Sequence, residues 1–218
     1  DSNTGYPLTT TDAEANNNGT PSTILTYQTG MSGHIADLMS KKSPEGRLWT
    51  FEYNTTGNLK SVTDPAGNAT STSGDYTTSY TYDGFGELTK ATDANNHATT
   101  NSNFDPNGYP QTITDADPRH NQTKFVYDRR GNVTKVTDAL NHDSTQVYDI
   151  FGRPGQKTVA KDQAAGVLIT TPAPVYDPND NVTKATAPNG AVKTATYDDA
   201  DRLIASYEPK DTSSGPER

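Results

Sequence analysis

An aromatic residue followed by a tight-turn phrase returns seven times along this chain in a fixed register. The copies read Tyr53-Asn54-x-x-Gly57, Tyr82-Asp83-x-x-Gly86, Phe104-Asp105-x-x-Gly108, Tyr127-Asp128-x-x-Gly131, Tyr148-Asp149-x-x-Gly152, Tyr176-Asp177-x-x-Asp180 and Tyr197-Asp198-x-x-Asp201. The aromatic-to-aromatic steps are 29, 22, 23, 21, 28 and 21 residues. A base spacing of 21–23 with two longer steps marks an array of similar units. In such arrays each unit leans mainly on its neighbours.

Each copy carries the same local physics. Asp or Asn opening a turn, with Gly three residues later, is the signature of a type I turn closed by a left-handed residue. That combination makes a hairpin with a following bulge. The Asp carboxylate can accept backbone N–H bonds inside the turn. Asp180 and Asp201 replace the glycine in the last two copies, and Asp is among the few residues that tolerate positive φ. Phe51/Tyr53, Tyr80/Tyr82 and Phe125/Tyr127 are two apart, which places each pair on one face of an incoming strand. Leu59, Leu88, Val133, Val182 and Leu203 begin the outgoing segments. Leu59 and Val62 are three apart, so either a bulge or partial burial of both faces is required.

A second turn closes each unit. Asp64-Pro65-Ala66-Gly67-Asn68, Asp93-Ala94-Asn95-Asn96-His97 and Asp138-Ala139-Leu140-Asn141-His142 share one register, and Ala187-Pro188-Asn189-Gly190 is similar. Gly67, Asn96, Asn141 and Gly190 coincide, and each is expected to be left-handed. Strand, turn, strand, turn, repeated, predicts an all-β fold: antiparallel hairpins joined into an extended sheet that curls because strands twist.

Composition agrees. The chain holds 21 Asp against 6 Glu, and 35 Thr against 15 Leu and Ile together, which favours turns and strands over helices. Hydrophobic residues are only 30%, too few for a thick two-sided core. With no Cys, disulfide frameworks and Cys-based metal or redox sites are excluded. The net charge of −9 argues against nucleic acid and against anionic membrane surfaces, which need clustered Lys and Arg. No apolar run is long enough for membrane insertion as a helix. No basic-then-apolar leader follows Asp1.

The Tyr-Asp-x-x-Gly-Asn/Arg-Leu/Val run with its closing Asp-Pro-x-Gly-type turn resembles the YD repeats of Rhs-type polymorphic toxins, insecticidal toxin-complex C components and teneurins. Tyr127 to Asp138 is close to the family pattern, while the copies at Tyr53 and Tyr197 lie nearer its edge. The resemblance covers about residues 47–208. It implies repeats wound into a hollow shell or barrel. In the toxins that shell encloses a C-terminal effector; in teneurins the barrel belongs to adhesion proteins at the cell surface. The expectation is therefore a non-catalytic structural segment of a secreted or surface protein, bacterial in origin. Its expected partner is the remainder of its own longer chain or an enclosed effector domain. The self-cleaving region and toxin of the family have no counterpart in these residues, so neither activity is transferred.

The expected organisation is a degenerate or truncated repeat with polar loops over 1–46, including Asn16–Gly19, then the array over 47–208. An insert at about 160–173 reads as a short helix or loop, and 209–218 as a flexible tail. No boundary separating two independent cores is visible.

Candidate chemistry is sparse. His97 and His142 occupy equivalent positions and His120 lies near that register; stacking could align them for a metal, but turn roles explain them better. His34 stands alone. The Asp column could ligate calcium only where one turn holds several carboxylates, as at Asp177/Asp180 and Asp198/Asp199/Asp201. Turn capping is the better explanation even there. Nucleophile elbows, phosphate loops and His-Glu-x-x-His are absent from the sequence. The Asn-x-Thr triplets at Asn54, Asn68, Asn121, Asn132 and Asn181 follow from repeat composition. No catalytic, cofactor or metal residue is assigned. The recurring Tyr reads as an inter-repeat packing ladder, and Trp49 with Phe51 and Tyr53 as packing rather than a ligand platform. The alternatives are a carbohydrate- or protein-binding adhesion module and, further off, a polysaccharide-acting hydrolase needing two facing carboxylates.

Overall fold

The computed structural model describes residues 5–10, 22–28, 36–72, 74–162 and 165–208. The polar loop Asn16–Gly19, His34 and the tail at 209–218 lie outside the described residues. Backbone contacts group the chain into two units, Asp1–Ser102 with Ile113–His120, and Asn103–Thr112 with Asn121–Arg218. The repeat register does not mark this division.

The first unit holds β1 (Thr9–Thr10), β2 (Thr23–Tyr27), β3 (Leu38–Lys42), β4 (Leu48–Tyr53), β5 (Leu59–Thr63), β6 (Thr77–Tyr82) and β7 (Leu88–Thr92). β8 (Ala98–Phe104) and β9 (Pro110–Thr114) divide their residues between the two units. The second unit continues with β10 (Gln122–Tyr127), β11 (Val133–Thr137), β12 (Asp143–Tyr148), β13 (Pro154–Asp162) and β14 (Val167–Thr171). A separate four-stranded sheet in this unit follows: β15 (Val175–Tyr176), β16 (Val182–Thr186), β17 (Val192–Tyr197) and β18 (Leu203–Tyr207). Within each sheet, strands pair antiparallel with their neighbours in chain order, as in β4·β5, β5·β6, β10·β11 and β16·β17. The fold is all-β, and the single helical element among the described residues is the 3-10 turn Gly67–Ala69.

The pairing register explains the three-residue spacing of Leu59 and Val62. Tyr53 sits opposite Leu59, but Glu52 sits opposite Ser61 and Phe51 opposite Val62. Lys60 is the extra residue of a β-bulge. It returns Val62 to the face of Leu59, Phe51 and Tyr53. The same slip occurs before Tyr82, Tyr127, Tyr176 and Tyr197. Threonine fills the bulge at three of these positions, and its hydroxyl turns back onto the facing strand. Thr89 Oγ1 donates to the Thr81 carbonyl at 3.1 Å, Thr134 Oγ1 to Val126 at 3.1 Å and Thr183 Oγ1 to Val175 at 3.2 Å.

Two expectations are corrected. The described residues of 160–173 are mostly strand, not a helix or a loop: Ala160–Asp162 end β13 and Val167–Thr171 form β14, paired through Lys157↔Thr171 and Thr158↔Thr170. Val167, Ile169, Thr170 and Thr171 are β-branched and suit a strand, and Pro172 and Pro174 stop it because they cannot donate a ladder bond. Gly67 is not left-handed. It lies in the 3-10 turn, where an added Cβ would stand 2.2 Å from the Asp75 carbonyl oxygen. Close backbone approach, rather than positive φ, calls for glycine there.

Among the described residues no hydrophobic side chain is fully buried, and the buried polar side chains are Ser61 and Thr112. Apolar residues on the Tyr face are half-covered by their strand neighbours. Order therefore comes from backbone ladders, turns and partial burial rather than from a core.

Candidate functional site

The recurring Tyr-Asp corner is the most regular side-chain arrangement in the molecule. At Asp83 the backbone N–H donates to the Glu87 carbonyl at 3.0 Å, and Gly86 N–H donates back to the Asp83 carbonyl at 3.2 Å. One carboxylate oxygen, Oδ1, then accepts the N–H groups of Phe85 at 2.9 Å and Glu87 at 3.0 Å. The same four bonds recur at Asp105, Asp128, Asp149, Asp177 and Asp198, with Asn54 doing the same work through its amide oxygen. They recur again at the second turns, Asp93 and Asp138. The fourth residue is left-handed throughout, from Gly57 at φ +86° to Asp180 at +70° and Asp201 at +58°. Asn96 and Asn141 are left-handed as expected, both at +63°.

These donors set the carboxylates' charge. The His97 N–H holds Asp93 below the ordinary carboxylate range, and the His142 N–H does so for Asp138. The Asn132 side-chain amide has the largest effect on Asp128, and the Arg202 N–H on Asp198. At Asp83, Asp149 and Asp177 desolvation pushes upward, and the combined N–H donors outweigh it. A carboxylate held ionised in this way is poorly suited to act as a general acid near neutral pH.

The tyrosine of each corner reaches backward by one unit. Its hydroxyl donates to the carbonyl of the first residue of the preceding outgoing strand. Tyr53 donates to Leu38 at 3.2 Å, Tyr82 to Leu59 at 2.9 Å and Tyr127 to Pro110 at 2.8 Å. Tyr148 donates to Val133 at 3.2 Å, Tyr176 to Pro154 at 2.8 Å and Tyr197 to Val182 at 3.4 Å. Phe104 has no hydroxyl, and the carbonyl in the matching position, Leu88, instead accepts Asn101 Nδ2 at 2.9 Å. Desolvation, then Asp37 and Asp105 respectively, raise the phenol pKa of Tyr53 and Tyr127, so both keep the donated proton. The sequence shows the Tyr ladder; it does not show which carbonyl each hydroxyl meets, because the bulge sets that.

The histidines stay with their own turns. His97 Nδ1 lies 3.3 Å from Asp93 Oδ2, and His142 Nδ1 lies 3.1 Å from Asp138 Oδ2. Among the described histidines, positive φ belongs to His120 alone, at +49°. Among the described residues no three of His, Asp and Glu converge as a metal cluster would require. In the Asp-rich turns, Asp180 is held by Arg153 Nη1 at 2.8 Å, and Asp201 accepts Asn179 and Asn181 side-chain amides at 2.9 and 2.8 Å. Asp198 is paired with Arg202 at 2.7 Å. Of the Asn-x-Thr triplets, Asn68, Asn132 and Asn181 commit their amide nitrogens to turn carbonyls or carboxylates. Trp49 is half-buried, with Lys41 Nζ 5.5 Å above its ring.

Arg153 is the residue that sequence reading passed over. Its guanidinium lies 5.0 Å from the Phe151 ring and 4.5 Å from the Tyr176 ring while pairing with Asp149 and Asp180. It ties the corner after β12 to the corner after β15, across the insert. No local pattern announces this, since the partners are 27 residues apart.

Residues 37–70 and 176–213 match the RHS repeat family model. No curated protein matches the chain in sequence. Solved structures of toxin complexes share its fold. The chain superposes on TcdB2-TccC3 lacking its hypervariable C-terminal region with a TM-score of 0.70 and 15% identity, over 95% of this chain. On the Photorhabdus luminescens Tc holotoxin pore the values are 0.68 and 17%, over 96% of this chain. In both cases it spans 11% of the matched chain, about a tenth of its length. The two matched stretches lie in the same Tyr-Asp register as the copies between them, so the chain resembles an Rhs/YD-repeat region.

Proposed function

We propose that this region is wall material: a non-catalytic stretch of a longer secreted or surface bacterial Rhs-type protein, building a shell around an enclosed effector domain. The backward-reaching Tyr hydroxyl carries this reading, because it makes each hairpin the support of the next. The turn carboxylates support it too, since their oxygens are spent on backbone N–H groups and neighbouring cations. The half-buried Tyr82, Tyr127 and Tyr148, hydroxyls engaged, weigh against a sugar-binding platform. The matched toxin-complex proteins supply the shell analogy, at a level of identity that speaks to fold.

The test is limited proteolysis of the full-length parent protein beside its Gly131→Val variant. An enclosed domain resists cleavage in the parent and is cut earlier once the wall is weakened. Equal cleavage of the two would remove the enclosure and leave only a repeat scaffold.

A further inference from the structure

The tripeptide Pro-Asn-Gly stands in two described turns that share one backbone and differ in capping. Pro106-Asn107-Gly108 sits in the corner after β8, and Pro188-Asn189-Gly190 in the turn between β16 and β17. Gly108 and Gly190 are both left-handed, at φ +83° and +85°. Their N–H groups donate in the same way, to the Asp105 carbonyl at 3.0 Å and the Ala187 carbonyl at 2.9 Å. Both asparagines are exposed. The difference lies at the first turn position. Asp105 caps its turn: its Oδ1 accepts the Asn107 and Tyr109 N–H groups, and its Oδ2 lies 3.5 Å from Asn107 Nδ2. Ala187 has no carboxylate to offer. Asn189 takes over the cap, its own Oδ1 accepting the Ala191 N–H at 3.0 Å. A third Asn-Gly pair, Asn18-Gly19, lies outside the described residues.

We propose that Asn189 is a site of spontaneous deamidation, in which the backbone nitrogen of Gly190 attacks the Asn189 side-chain carbonyl. A bond forms between Gly190 N and Asn189 Cγ, the Cγ–Nδ2 bond breaks, and the Gly190 N–H proton leaves with Nδ2 as ammonia. Water then opens the resulting succinimide at either carbonyl, giving an aspartate or an isoaspartate at position 189. Glycine presents its nitrogen without a Cβ in the way, and this holds for both turns. What sets position 189 apart is charge. The tetrahedral intermediate carries negative charge on Oδ1, where the Ala191 N–H already points, so that donor stabilises it without rearrangement. At Asn107 the equivalent donor, the Tyr109 N–H, is committed to Asp105. The Asp105 carboxylate beside the Asn107 amide also opposes any build-up of negative charge there. The aspartate product adds a negative charge to the turn. The isoaspartate product routes the main chain through the side chain and lengthens the link between β16 and β17 by a methylene. This site goes beyond the wall reading and does not depend on it, since the chemistry needs only the turn and water.

The test incubates the whole folded chain in mildly alkaline buffer and follows both sites by peptide mass spectrometry. Asn189 should convert roughly tenfold faster than Asn107, the rate equivalent of one net hydrogen bond. In denaturant the shared Pro-Asn-Gly context should bring the two rates together, because the caps are then gone. Ala187→Asp restores the cap that Asp105 provides in the other turn, and should slow Asn189 to the rate of Asn107. Equal rates in the folded chain, a rate difference that persists in denaturant, no conversion at Asn189, or an unchanged Asn189 rate in Ala187→Asp would overturn the proposal. None of these outcomes bears on the proteolysis result for the parent protein.

Discussion

β11 and β16 are nearly the same strand, Val-Thr-Lys-Val-Thr against Val-Thr-Lys-Ala-Thr, yet they keep different company. Both begin after a Tyr-Asp corner, both carry a bulge threonine bonded to the facing carbonyl, and both have their first carbonyl taken by the next tyrosine hydroxyl. β11 is nonetheless ladder-paired on both sides, whereas β16 forms a ladder along only part of one edge. The difference lies in their neighbours: Pro172 and Pro174 lead into β15, whereas β10 and the residues before it from Asn121 hold no proline. Local sequence makes the hairpin, and the continuity of the sheet depends on whether the adjacent segment can donate hydrogen bonds.

The corners permit a sharper comparison. Gly131 and Gly152 have almost identical backbones, φ +84° and +85°. An added Cβ at Gly131 would stand 2.6 Å from the Tyr109 hydroxyl oxygen, whereas at Gly152 nothing lies within 4 Å. Gly131→Val should therefore cost about 3 kcal/mol, from positive-φ strain and overpacking together. Gly152→Val should cost about 1–2 kcal/mol, from strain alone. Chemical denaturation of the two variants reads the difference, and equal costs would mean that Tyr109 yields freely. Tyr127→Phe comes next, at about 1 kcal/mol, since the Pro110 carbonyl loses its donor. The Phe104 copy shows that an asparagine can supply such a bond, so a variant no less stable than wild type would demote the hydroxyl to a spectator.

Arg153→Lys keeps the charge and loses the planar stacking on Phe151 and Tyr176. Amide exchange should rise in β15–β18 with little change in β10–β12. A uniform rise would show that the clamp is not local.

The smallest expected effect is in acid. Asp93 and Asp138 have folded pKa values below their ordinary 3.8, so the fold prefers the ionised form. Their contribution is complete above the unfolded pKa and is lost as pH falls through the folded value. Asp93→Asn keeps the oxygen acceptor, as Asn54 does natively, and should flatten the stability–pH curve below about pH 4 while changing little near neutrality. An unchanged acid slope would mean that the carboxylate's charge contributes nothing.

Much of this was legible in one dimension. The Tyr-Asp-x-x-Gly register located the corners, the two-residue aromatic spacing located the incoming strands, and Asp180 and Asp201 were readable as left-handed because few other residues tolerate that geometry. The candidate site was legible as residues but not as contacts. His97 and His142 were visible as a pair of equivalent positions, yet each bonds only within its own turn. Gly67 looked like its counterparts and proved to be a point of close backbone approach. The insert resisted reading because a short apolar run such as Val167–Thr171 fits several local structures until a partner strand selects one.

What the amino-acid order determined by itself was the Tyr-Asp hairpins, since turn conformation and carboxylate capping involve residues within four positions of one another. What only the tertiary structure decided was the joining of hairpins: which carbonyl each tyrosine hydroxyl reaches, where the bulge sends each side chain, and where the ladder stops. Those outcomes depend on groups some 15 to 27 residues apart, brought together only when one unit lies against the next.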